Sequence, residues 1–300
     1  MDKSARHSDS NVAVNPVAAD NSGQEADISA LNPEMKNILR RSRVAASRWR
    51  DVPLSQRLEI VRTTRRLIAE SPRLLAKACG RDNLTESLAA EVLPLADACR
   101  FLEQQAEQIL QPRYLGSRFR PFWLTGVKTE IHREPVGTVL VIAPSNYPLM
   151  LPGIQALQAL VAGNAVLWKP AEGHTASVDA LCSLLYQAGL ERDLLQILPE
   201  DVSQVEQAIQ AGVDKVVLTG SVEAGIAVQK LLAEGLTPAT MELSGSDAVF
   251  ITRTADLDRA AGCVSMGLFL NGSRTCIAPR RVFVHQSVRS QFQEKLLSAI

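Results

Sequence analysis

Residues 136–150 read VGTVLVIAPSNYPLM. The opening run, residues 136–142, is apolar and rich in β-branched side chains, the pattern of a strand covered on both faces in a parallel sheet. The two-proline turn that follows leaves Asn146 just beyond the strand's carboxyl end. Downstream, the spacing predicts a helix over 149–162, stopped at Gly163-Asn164. It then predicts strands over 165–168, 194–198 and 215–218, alternating with helices over 174–188, 202–211 and 222–233. Strands and helices that alternate at this length imply βαβ units with right-handed crossovers. The expected fold is therefore α/β, a doubly wound parallel sheet that binds its ligand at the carboxyl ends of the strands.

Upstream, residues 28–110 carry a helical pattern. Leu58, Val61, Leu67, Ile68, Leu74 and Leu75 recur on one face. Arg57, Arg62, Arg65 and Arg66 fill the other and read as a solvated surface. Pro72 and Pro94 mark helix starts or breaks. Residues 111–122 read as an irregular connector. Residues 1–27, rich in Ser, Asn, Asp, Ala and Gln, read as a disordered tail. The expected domains are thus the tail over 1–27, helices plus the strand-helix sheet over 28–243, and a partial further domain over 244–300.

Composition narrows the class. Lys+Arg and Asp+Glu both number 32, so no basic excess favours nucleic acid or an anionic membrane as partner. No apolar run is long enough to span a bilayer, and the polar N-terminus lacks a secretory apolar core. The cysteines (79, 99, 182, 263 and 276) are scattered with no CxxC pair, which argues for a reducing cytoplasm and against a disulfide framework or zinc site. Cys79 and Cys99 lie in apolar helical surroundings and read as inert core thiols.

The chemistry-bearing residues gather at predicted strand ends. Asn146 follows the first strand, and its amide could donate to a developing oxyanion. Lys169 and Glu172 follow the second and read either as a ribose-binding pair or as a surface ion pair. Thr219, Gly220 and Ser221 open a helix, with Gly225 one turn on. They read either as a phosphate cradle or as a tight turn with a serine N-cap. Glu242 closes a short apolar run and is either a general base with a pKa raised by burial or a loop carboxylate. Cys276 stands in NGSRTCIAPRR between an apolar segment and a strand-like run over 280–285. With Arg274 beside it, it is either a nucleophile or a small core residue.

Five motifs in one order resemble the NAD(P)-dependent aldehyde dehydrogenase superfamily: Pro144-Ser145-Asn146-Tyr147-Pro148, Gly163-Asn164 through Glu172, Thr219-Gly220-Ser221 through Gly225, Glu242-Leu243-Ser244-Gly245, and the loop from Asn271 to Cys276. The resemblance implies a Rossmann-like cofactor sheet and an aldehyde substrate. It implies Cys276 as nucleophile, Asn146 with the Cys276 N–H as oxyanion donors, and Glu242 as the base that activates water. It places Lys169 and Glu172 on the adenosine ribose and the Thr219, Gly220, Ser221, Gly225 turn on the pyrophosphate. NAD is the expected cofactor, with NADP admitted, because Glu172 would repel a 2′-phosphate. It allows a homo-oligomer in a full-length form. Ser145, Ser244, Ser246, Ser273 and Arg274 depart from the usual family residues. Family members also continue past the cysteine loop with a Glu-Phe-Gly-Pro segment that this chain lacks. A truncated chain, silent in catalysis and at most binding dinucleotide or a partner, is the alternative expectation.

Overall fold

The structure, a computed structural model, describes residues 32–116 and 120–300, so the expectations for residues 1–27 lie outside the described residues. The helical region breaks where its caps and prolines stand. α1 (Pro33–Trp49) is capped by the Asn32 side chain. α2 (Leu54–Glu70) follows Pro53, and α3 (Pro72–Ala78) opens on Pro72. α4 (Leu84–Ser87), capped by Asn83, widens into a π turn at Leu88–Val92 and continues as α5 (Leu93–Leu110). The π turn lies directly ahead of Pro94, where the helical ladder loses a donor.

Leu58, Val61, Ile68 and Leu75 are buried as their spacing predicts, but Leu74 is exposed. Two of the four arginines also depart from expectation. Arg57 reaches inward and donates to the carbonyls of Val52 and Val161. Arg65 holds Glu103 with two bonds of 2.6 and 3.0 Å. Both arginines thus join helices to the core, because their long stems can bury while the guanidinium finds acceptors. The connector is not wholly irregular either: β1 (Arg113–Leu115) pairs antiparallel with β2 (Thr129–Ile131). Strand β1 is short and fully exposed, so no alternation marks it in the sequence.

The central sheet follows as β3 (Thr138–Ile142), α6 (Met150–Val161), β4 (Ala165–Lys169), α7 (Thr175–Gln187), β5 (Leu195–Ile197), α8 (Ser203–Gln210), β6 (Lys215–Thr219), α9 (Val222–Gly235) and β7 (Ala239–Glu242). All five strands are parallel, in the order β5-β4-β3-β6-β7. β3 is buried along its length; Val139 and Val141 feed one apolar cluster, Leu140 and Ile142 the other. Successive strand residues face opposite sides, so one short run anchors helices on both faces. The winding direction reverses between β3 and β6, which opens a crevice at their carboxyl ends. The edge strand β7 carries no clear sequence signal because its burial only alternates between half-buried and exposed.

Beyond it, β8 (Asp247–Ile251), α10 (Leu257–Phe269), β9 (Pro279–Val284) and α11 (Arg289–Ala299) form a separate parallel strand pair with its own small core of Ile251, Leu257, Ala261, Val264 and Phe292.

Candidate active site

Two adjoining cavities occupy the crevice. One, of about 280 Å³, is lined by Asn146, Glu242, Arg274, Thr275, Cys276 and Arg280 among others. The other, of about 840 Å³, is lined by Lys169, Glu172, Glu200 and the inner face of α9. Pro144, Ser145, Thr219 and Gly220 border both. The strand ends thus bring together Cys276, Asn146 and Glu242, whose separations in sequence are large.

Cys276 is exposed, and the core-residue reading does not apply to it. By contrast, Cys79 and Cys99 are buried, and desolvation pushes both thiols up to about 12. Among the described residues, the Cys276 N–H has no acceptor. The Asn146 amide donates to the Arg274 carbonyl at 2.8 Å, which spends one of its two protons and leaves the other for a ligand. Glu242 is exposed rather than buried at the end of β7. A Cβ at Gly245 would lie 3.2 Å from the Cys276 carbonyl oxygen, so glycine lets the segment after β7 pass against the cysteine loop.

The loop is held from beneath by a polar cluster that no sequence motif announces. Arg81, its side chain 8% exposed, pairs with the fully buried Glu91 at 2.5 Å. The same guanidinium donates to the Asn146 carbonyl at 2.8 Å and to the Asn271 side chain. Asn271, in the left-handed region at φ 55°, returns its amide to the Asn146 carbonyl at 2.8 Å. The Tyr147 hydroxyl meets the Thr275 hydroxyl at 2.7 Å. Glu91 also accepts from the Met150 N–H at 2.7 Å, at the start of α6. Burial raises the Glu91 carboxyl above its usual range, opposed by the Met150 N–H and the Arg81 guanidinium. The asparagine turn and the cysteine loop therefore share one buried ion pair. The available signal was a lone glutamate inside the apolar run LAAEVL, a charge that cannot be buried without a partner.

The cofactor-side residues fall into two groups. Lys169 is 7% exposed and lines the larger cavity, and its ammonium makes no hydrogen bond or close ion pair. Desolvation lowers its pKa, against opposition from Glu200, Asp201 and Glu172 in that order. Glu172 is exposed and lines the same cavity. The surface ion-pair reading of these two therefore fails. The Ser221 hydroxyl caps α9 by accepting from the Ala224 N–H at 3.1 Å, so the N-cap reading holds, while Gly220 and Ser221 still border the cavities. The Thr219 hydroxyl accepts from Gln155 at 2.9 Å. Gly225 lines neither cavity. A Cβ there would lie 2.8 Å from both methyls of Leu243, so the absence of a side chain lets α9 pack against Leu243.

A parallel sheet whose winding reverses, with a thiol, an amide and a carboxylate lining one cavity beside its strand ends, is the fold's candidate site. The sequence profile described as "Aldehyde dehydrogenase family" matches residues 4–300, and the chain belongs to that family. It is 31% identical over 268 residues to the 4,4′-diapolycopene aldehyde oxidase of Methylomonas sp, covering 87% of this chain and 50% of the relative. It is 30% identical over 273 residues to the dimeric NADP-preferring aldehyde dehydrogenase of Mus musculus, covering 89% and 58%. A solved structure, "Structural insights into cofactor and substrate selection by Gox0499", superposes with a TM-score of 0.82 at 29% identity, covering 89% of this chain and 58% of that one. The chain thus spans about half the length of the curated relatives it matches.

Proposed function

We propose that the site oxidises an aldehyde to a carboxylic acid with NAD(P)+. The observation that carries this reading is the convergence of Cys276, Asn146 and Glu242 on one cavity that opens into the strand-end crevice. The cofactor suits this crevice because the buried Lys169 ammonium makes no hydrogen bond and ribose oxygens provide acceptors. Lys169 and Glu172 would hold the adenosine ribose, and the Gly220-Ser221 turn the phosphates. Bound there, NAD(P)+ supplies the two-electron acceptor of the oxidation.

The Cys276 thiol gives up its proton to solvent and its sulfur attacks the aldehyde carbon, forming a C–S bond and sending the carbonyl electron pair to oxygen. The free Asn146 amide proton and the Cys276 N–H receive that oxyanion. Loss of the C–H hydrogen as hydride, which bound NAD(P)+ would accept, would re-form the carbonyl and leave the acyl group on Cys276 as a thioester. Glu242 takes a proton from water, the hydroxide adds to the thioester carbon, and the C–S bond breaks to release the acid as the Glu242 proton passes to the leaving sulfur. The relative identified as an aldehyde oxidase and the NADP-preferring one support this reaction class.

We also infer that the chain divides near residues 243 and 244, since the core built from β8 onward is separate from the two clusters of the sheet. The free cysteines support a reducing compartment such as the cytoplasm. Among the described residues no helix is long and apolar enough to cross a membrane.

The test is NAD(P)+ reduction with a panel of aldehydes, with Cys276→Ala as control. Turnover is expected to fall by at least about a thousandfold in the control, the scale on which loss of a covalent nucleophile is felt. Dinucleotide binding without Cys276-dependent turnover would sink aldehyde oxidation and leave a binding role.

A further inference from the structure

We infer that Glu200 is a specificity-determining residue that excludes a 2′-phosphate from the adenosine end of the crevice, so that the chain selects NAD+ over NADP+. The inference rests on the dinucleotide reading above. Among the described residues lining the larger cavity, the charged groups are Lys169, Glu172, Glu200 and Glu206, and Lys169 is the one cation. A crevice for a 2′-phosphorylated ribose needs added positive charge there, typically an arginine. This one supplies carboxylates.

Glu200 is the fixed member of the group. One carboxylate oxygen accepts from the Gly173 N–H at 2.8 Å. The other accepts from the Thr175 N–H at 2.8 Å and the Thr175 hydroxyl at 2.5 Å. These are the free donors at the start of α7, where an incoming phosphate would otherwise bind. Glu200 therefore acts twice: it occupies the donors and presents a fixed negative charge. The same bonds hold its carboxyl down to about 2, so the charge persists throughout the neutral range. Glu172, by contrast, is exposed and held by no hydrogen bond, and it can rotate away from an approaching anion.

The two ligands differ in how they meet this surface. Ribose hydroxyls donate to carboxylates and accept from the Lys169 ammonium. A 2′-phosphate carries about −1.5 to −2 charge near neutral pH and has little to donate. It would find Lys169 beside three carboxylates, with the nearest helix terminus filled.

The experiment measures direct binding to the full chain by calorimetry, with NAD+ and NADP+ and then with ADP and adenosine 2′,5′-bisphosphate. NAD+ is expected to bind about tenfold more tightly than NADP+ or better, equivalent to one carboxylate repulsion of about 1.4 kcal/mol. In Glu200→Gln the amide oxygen keeps a cap for α7 but the charge is gone. The ratio should narrow to within about threefold, chiefly through tighter NADP+ binding. A purely structural cap would weaken both cofactors together and leave the ratio unchanged. Equal binding of NAD+ and NADP+ by the unaltered chain, or an unchanged ratio in Glu200→Gln, overturns the inference while the dinucleotide reading stands. In the unaltered chain ADP should likewise bind more tightly than adenosine 2′,5′-bisphosphate, and the reverse order overturns the inference. Binding of neither dinucleotide overturns the dinucleotide reading itself.

Discussion

Replacing Arg81 with methionine tests whether the cluster beneath the cysteine loop is a buried ion pair or an ornament. Arg81 is 8% exposed and Glu91 fully buried, so the substitution strands a carboxylate in the core. Breaking a buried pair in this way costs about 3–5 kcal/mol. The Arg48–Glu191 pair, with side chains 60% and 46% exposed, is the internal control, and Arg48→Ala should cost about 0–1 kcal/mol. The pH dependence has a definite sign. Burial already raises the Glu91 carboxyl, and without Arg81 it rises further. A carboxyl raised in the folded state penalises folding above that folded pKa and ceases to do so once both states are protonated. The loss in Arg81→Met should therefore be largest above neutral pH and shrink as the pH falls. Urea midpoints at pH 8 and pH 5.5, compared only where the slope is unchanged, measure it. A loss below about 1 kcal/mol at pH 8, or one that grows on acidification, would refute the reasoning.

Two further outcomes follow from local geometry. Gly225→Val should destabilise by about 1–3 kcal/mol, because even its Cβ meets the Leu243 methyls at 2.8 Å. Thermal melts of Gly225→Val alone and with Leu243→Ala check this, and the second change should recover part of the loss. Glu200, held down to about 2 from an ordinary 4.5, adds stability that is complete above pH 4.5 and lost as the pH falls through about 2. Glu200→Gln should flatten the acid limb of the midpoint profile in that window, and an unaltered limb counts against the cap.

The strand-helix rhythm after residue 136 was legible because a buried parallel strand needs a continuous apolar run, and β3 and β4 have one. The edge strand β7 and the exposed β1 were not, since they bury too little to leave a pattern. The residue types at the strand ends marked Asn146, Lys169 and Cys276 as candidates, and motif order tied them to one family. Local pattern alone gave no hint that Leu243, across the β6–β7 crossover, packs on Gly225, and it misjudged Arg57 and Arg65, whose acceptors lie on other segments. It was blind to the Arg81–Glu91 pair and to Glu200, which acts through donors on a segment far from it in sequence. Periodicity reports how each segment partitions between water and core. It carries no record of which distant groups share a charge or a hydrogen bond, because those pairings form only when the winding of the sheet brings the strand ends together.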